Sequence, residues 1–284
     1  MSNQSRLTHR SCGQLDPNNW VAEGDGLLAS SKKVRTIWEE HRQAFSKAVK
    51  QRVSGQRPTA EDWILLKGLP RTSMLLLGYA VEMYLKAGIA KAYRGCANEM
   101  FVRDVKYRFG HKLKDMADEL AFPHRSGDAE HFVELEDLVL VDARYPIAVP
   151  DDGSYTEAAN AQTSRIWSSE SYDNLCSIAQ RVRDHVSRID SESSNPASLQ
   201  SFNIDEDGYL AFRVGGHLPP RITYRLSTAM KDMNLCSAED VKALFDAKVH
   251  HQVLRYWDRA WIYEDGQPDR GKPKTSERKR PSAV

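Results

Sequence analysis

The side chains that could carry chemistry fall into three small groups. Glu82 and Lys86 stand one helical turn apart in an otherwise apolar run, and His111, Arg144 and Tyr145 follow at the edges of later helices. These five could line a small polar pocket. Each also has a structural reading. Glu82 and Lys86 have the acid first, the better order for a helical ion pair. An imidazole at a helix start can accept from a free amide, and a cation suits a helix end. The second group is Arg181 and His185, four apart and so on one helical face. An Arg beside a His supplies a cation for a phosphate and a group for a 2′-hydroxyl proton, the needs of metal-independent RNA cleavage. The simpler alternative is an exposed, solvated pair. The third group is Tyr256, Trp257, Trp261 and Tyr263 with Arg255 and Arg259 between them. These aromatics could stack bases or fill a core or an interface.

No metal site and no cofactor is expected. Cys12, Cys96, Cys176 and Cys236 are spread one per region without a CxxC pair, which reads as reduced, mostly structural thiols. His250 and His251 are adjacent, so on a helix they point about 100° apart and cannot clamp one metal. Val214-Gly215-Gly216-His217 is too short for a phosphate loop and opens no helix.

The elements that must position these groups are mostly helical. The chain has 284 residues, 40% hydrophobic and 28% charged, with a net charge of +1, an ordinary balance for a globular protein with no global basic field. No apolar run approaches the roughly 20 residues of a membrane span, and the polar N-terminus lacks a secretory signal. The expectation is a cytoplasmic protein without a membrane partner. A turn at Asp16–Asn19 leads into a helix whose apolar stripe runs through Leu27, Leu28, Val34, Ile37, Trp38, Phe45 and Val49. Ser54–Pro58 breaks it. Thr59-Ala60-Glu61-Asp62 has the form of a capping box, starting a short helix that Gly68-Leu69-Pro70 stops. Arg71 to Tyr93 is apolar almost all round, as a bundle's central helix is. Gly110-His111-Lys112-Leu113 begins the next helix, Phe132 to Val141 forms another, and the last spans about Ser164 to Ile189.

Beyond it, Ser191–Ser201 is a linker by composition. Phe202–Ile204 and Tyr209–Val214 flank an Asp-Gly turn and predict a β-hairpin. Ser237–Asp240 is a second capping box, starting a helix that extends toward Trp261. The expected fold class is therefore mainly α: an antiparallel helical bundle at 16–190 with a small α+β appendix at 202–265. A flexible N-terminus, 1–15, precedes it. A disordered basic tail, 266–284, follows, with Arg270, Lys272, Lys274, Arg278, Lys279 and Arg280 against Asp269 and Glu277.

The punctuation of the bundle resembles that of the HEPN family. Asp16-Pro17-Asn18-Asn19-Trp20 leads helix one. Gly78-Tyr79-Ala80-Val81-Glu82-Met83-Tyr84-Leu85-Lys86-Ala87 resembles the family's central A-x-E-x-x-L-K-A helix. Gly110-His111-Lys112-Leu113 resembles its G-H-x-L entry, and Asp142-Ala143-Arg144-Tyr145-Pro146 its R-Y-P stop. The resemblance covers 16–189 and implies an antiparallel bundle, frequent homodimerisation and one of two jobs. Some members are ribonucleases using an Arg-x4–6-His motif on the last bundle helix. Others lack it and act as binding modules, often beside a nucleotidyltransferase. Here Arg35-x5-His41 and Arg125-x5-His131 fit the spacing, as many pairs as chance supplies, but sit on helix one and across a loop. Arg181 and His185 lie on the last helix with three residues between them. The expectation is a non-catalytic, homodimeric module associated with RNA or a nucleotide, partnered by a nucleotidyltransferase or antitoxin protein in a defence or toxin–antitoxin setting. The alternatives are a metal-independent endoribonuclease and an adaptor docking through 202–265.

Overall fold

A computed structural model describes residues 5–51, 58–142, 155–249, 252–266 and 278–279. It is mostly helical, with a small mixed sheet toward the C-terminus. The two longest helices, α1 (Pro17–Gln51) and α2 (Ala60–Ala92), form an extensive hairpin. The capping box is present: Asp62 N–H donates to Thr59 Oγ1 at 3.2 Å and Thr59 N–H to the Asp62 carboxylate at 2.8 Å.

Pro70 does not stop α2 but lies inside it, correcting the expected break at Gly68–Pro70. A proline within a helix leaves the carbonyl four residues earlier without its donor. That carbonyl is Leu66, and the Trp38 indole N–H of α1 donates to it at 3.1 Å. The hole in the ladder is thus filled from the neighbouring helix. The buried face of α1 also differs from the expected stripe. Gly24, Leu28, Ser31, Arg35 and Trp38 face inward, while Ile37 and Val49 are exposed. Ser31 is tolerated because its hydroxyl donates to Ser73 O at 2.7 Å. Arg35 donates to the carbonyls of Ile166 and Trp167 and stacks on Trp38.

Helix α2 is the one described helix long and apolar enough, by length and composition alone, to cross a membrane. In this fold it is the bundle's central element, packed by α1, α4 (Leu113–Glu119), α5 (Asp128–Asp137) and α7 (Ser169–Arg188). The helix α3 (Asn98–Arg103) runs into a π-turn at Asp104–Phe109, and a second π-turn, Leu138–Asp142, extends α5. The last bundle helix, expected as one piece, is two: α6 (Tyr155–Trp167) and α7 meet at Ser168, whose hydroxyl caps α7 by accepting from Ser171 N–H at 3.1 Å.

The sheet has the order β1 (Ser198–Asn203), β2 (Tyr209–Gly215), β3 (Leu218–Arg225), β4 (Trp261–Glu264), β5 (Arg278–Lys279), with only β3–β4 parallel. The expected hairpin is present as β1–β2, although β1 begins inside the stretch read as a linker. Asp205 accepts from Gly208 N–H at 3.0 Å to fix its turn. A second hairpin, β2–β3, turns at Gly216 and His217, both at positive φ. Chain 226–260 crosses over through α8 (Thr228–Asp232), α9 (Ala238–Val249) and a 3-10 helix (Gln252–Arg259), so the last expected helix ends well before Trp261.

The strands alternate as period two demands. Leu210, Phe212, Ile222, Tyr224 and Ile262 share one cluster with Met230, Val241, Phe245 and Trp257 of the crossover. Tyr209, Ala211 and Tyr263 instead belong to the bundle core. The α+β region is therefore a layer built onto the bundle, not a detached appendix. Residues 5–15, expected to be flexible, are fixed as well. Arg6 bridges Ala97, Leu7 is buried, and its N–H donates to Cys96 O at 3.0 Å. Of the expected tail, Arg278 and Lys279 pair with β4; 267–277 and 280–284 lie outside the described residues.

Candidate functional site

Of the first sequence-derived group, Glu82, Lys86 and His111 come together in space. On the inward face of α2, Glu82 is 2% exposed and is held from both sides. Lys86 Nζ lies 2.5 Å from Oε1 and His111 Nδ1 lies 2.8 Å from Oε2. A buried carboxylate needs such partners, because removing its charge from water unpaired costs several kcal/mol. Trp20 completes the cluster, with the Lys86 ammonium 5.7 Å from its ring centroid. His111 does not cap α4; of the two structural roles open to it, capping and locking the core, its ring takes the contact to Glu82. It sits ahead of α4, after Gly110, whose φ of +53° turns the chain toward Glu82. Both acceptor atoms of Glu82 are thus engaged in bracing α2. Arg144 and Tyr145 lie outside the described residues.

The Arg181 and His185 pair shares a face of α7, but neither side chain is free. Arg181 makes a bidentate pair with Asp128, with both bonds at 2.8 Å, and donates to Pro123 O at 3.0 Å. Its guanidinium also lies 5.1 Å from the Phe122 ring centroid. His185 is buried, with Nε2 2.9 Å from Leu120 O, so its Nε2–H tautomer donates to that carbonyl. Burial pushes its pKa below the usual histidine value, which favours the neutral ring. The pair therefore pins the loop between α4 and α5 onto α7.

Around this pin the surface is a groove of about 450 Å³, bordered by Phe122, Pro123, Arg125, Arg181, Arg183, Asp184, His185, Ser187 and Arg188. Arg183 is committed to Asp25 through bonds of 2.6 and 2.8 Å. Arg125 and Arg188 are exposed, and neither side chain meets a carboxylate among the described residues. Two exposed guanidiniums with no carboxylate partner among the described residues thus border the groove, beside two that are paired. Sequence reading found Arg181 and His185, named Arg125 only through its spacing to His131, and missed Arg188. The signal available was the arginine spacing on α7 at 181, 183 and 188; Arg125 reaches the groove only through the loop fold.

The other histidine pairs do not form sites. His41 Nε2 lies 3.0 Å from Asp62 O on the α1–α2 hairpin, and His131 faces Glu134 at 3.7 Å. The C-terminal aromatics divide between two cores: Trp257 is buried in the crossover cluster and Tyr263 in the bundle core. Tyr256 and Trp261 are half-buried. His250 and His251 lie outside the described residues. No metal-holding group of His, Cys, Asp and Glu occurs among the described residues, where the four cysteines are free thiols.

No family model, no curated protein and no solved structure matches the chain.

Proposed function

We propose that the chain is a non-catalytic HEPN-like module that binds RNA along the groove beside α7. The observation that carries this reading is the state of the four groove arginines. Arg181 and Arg183 are neutralised by Asp128 and Asp25, whereas Arg125 and Arg188 are exposed and meet no carboxylate among the described residues. Exposed arginines attract a phosphate backbone and offer planar guanidinium faces to bases. The same geometry argues against cleavage. A general base must reach the proton it removes, and His185 is buried with its Nε2–H on a backbone carbonyl. The HEPN assignment rests on the ordered motifs at 16–146. With it come the homodimer, a nucleotidyltransferase or antitoxin partner, and a cytosolic defence or toxin–antitoxin setting.

Fluorescence anisotropy with a labelled, unstructured single-stranded RNA tests the reading. Wild type should bind with a clear salt dependence. Arg125→Ala/Arg188→Ala should weaken binding uniformly across sequences and flatten the salt slope by about one to two. Unchanged affinity in that variant overturns the groove assignment. A parallel incubation with structured RNA tests the rest: cleavage that disappears in Arg181→Ala and His185→Ala would make the chain an endoribonuclease.

A further inference from the structure

A second cavity, remote in function from the arginine groove, lies between the first turns of α2 and the length of α6. It has a volume of about 630 Å³, within the range of small-molecule sites. Its back wall is Ile166 and Trp167 at the end of α6, with Ala159 and Tyr155 earlier on the same helix. Its front is Ile64, Lys67, Gly68 and Arg71 of α2.

Both walls are fixed from behind by α1. Trp38 packs edge-on against Trp167, with ring centroids 5.8 Å apart, and donates its indole N–H to Leu66 O. Arg35 holds the carbonyls of Ile166 and Trp167 at 2.8 and 3.2 Å. The space between the walls is therefore preformed by buried side chains rather than left over between loose loops. Ile64 is 69% exposed and Tyr155 is 51% exposed, although both border the cavity. Large apolar side chains facing water around a concavity are a feature of binding sites.

The charges at this cavity have one sign. Lys67 and Arg71 are one helical turn apart on the same face of α2, and the lining includes no carboxylate among the described residues. Arg71 Nη2 donates to Gln162 Oε1 at 2.7 Å, a neutral partner that orients the guanidinium without cancelling its charge. Lys67 has no ion-pair partner among the described residues. From these features we infer that the cavity binds a small amphipathic carboxylate, its apolar body against Ile166 and Trp167 and its head between Lys67 and Arg71.

Isothermal titration of the full chain with decanoate and, separately, with naphthalene-2-carboxylate tests this and distinguishes an alkyl from an aryl body. Saturable binding of at least one is expected. Lys67→Gln/Arg71→Gln should weaken it about tenfold or more, the scale of a charge-assisted contact, and leave the uncharged control decan-1-ol unaffected. Ala159→Phe should fill the cavity and remove binding of carboxylate and alcohol alike. Thr163, exposed on α6, also lines the cavity, and Thr163→Phe fills the same space should Ala159→Phe fail to fold. The inference is overturned if neither carboxylate binds saturably, if binding ignores the charge change, or if it survives the filled cavity.

Discussion

Arg221 of β3 reaches Glu119 of α4 at 2.5 Å, and both are buried. The guanidinium lies between the rings of Tyr263 and Tyr93, at 3.7 and 4.2 Å from their centroids. Arg108 holds the other carboxylate oxygen of Glu119 at 2.9 Å. A second buried acid, Asp265, gathers Arg103, Arg225 and the Tyr209 hydroxyl in the same way. The seam between bundle and sheet is thus ionic and aromatic where an ordinary core would be aliphatic.

Breaking such a pair from one side leaves a charge buried without its partner. Arg221→Met should therefore cost about 3–5 kcal/mol of unfolding free energy. Arg221→Met/Glu119→Gln should cost less than the sum of the single changes, since the stranded carboxylate is then neutral. Urea denaturation of the four proteins checks this; strict additivity would show that the pair is not coupled.

Trp38 and Pro70 should also be coupled, although they do not share a hydrogen bond. Trp38→Phe keeps a ring in place but strips Leu66 O of its donor, at about 1–3 kcal/mol. With Pro70→Ala, the new amide at 70 can serve that carbonyl, so the same Trp38 change should cost less in that background. Chemical denaturation of the double-mutant cycle measures the difference. An equal cost in both backgrounds would mean that the indole stabilises by packing alone.

The burial of His185 makes a pH prediction. Its folded-state pKa lies below the unfolded value near 6.5, so on acidification the unfolded chain takes up the proton first. The associated stability is whole above about pH 6.5 and is lost progressively as the pH falls below it. Melting temperatures between pH 7.5 and 5 should drop more in wild type than in His185→Gln. Parallel curves would place the acid sensitivity elsewhere.

Gly78 marks a close approach of α2 to the π-turn after α5. A Cβ there would lie 2.5 Å from Val139 Cγ2 and 3.4 Å from Leu135 O. Gly78→Ala should destabilise by about 1–3 kcal/mol despite the better helix propensity of alanine. Val139→Ala in the same chain should recover part of the loss. A stabilised Gly78→Ala protein in thermal melts would contradict this packing.

What the sequence made legible was local. The Thr59 and Ser237 capping boxes, the Asp205–Gly208 hairpin and the apolar α2 all depend on residues within a few positions of one another, and all are present. The β3 strand escaped for a physical reason. Pro219-Pro220 weakens any strand reading, and Arg221, Thr223 and Arg225 alternate as a solvated face would. They are buried because Glu119 and Asp265, 102 and 40 residues away, meet them. Pro70 misled in the same manner, since the donor that rescues its helix stands on α1. In the polar groups, Glu82–Lys86 was visible from its spacing. The commitment of Arg181 to Asp128, 53 residues earlier, was not, and that pairing decides what the group can do.

Tyr209 has a consequence for synthesis rather than for stability. Arg6 stacks on its ring at 4.8 Å, while Asp265 accepts from its hydroxyl at 2.8 Å. One side chain in the middle of the sheet therefore joins residues from near the first and the last described parts of the chain. Closing contacts so distant in sequence slows folding, and translation adds the residues in order. Until residue 265 has been made, Arg225 and the Tyr209 hydroxyl lack their carboxylate, whereas Arg221 and Arg103 already have Glu119 and Asp104. A nascent chain keeps this part of the seam open until Asp265 emerges, a stage at which it is exposed to chaperones and to misassociation.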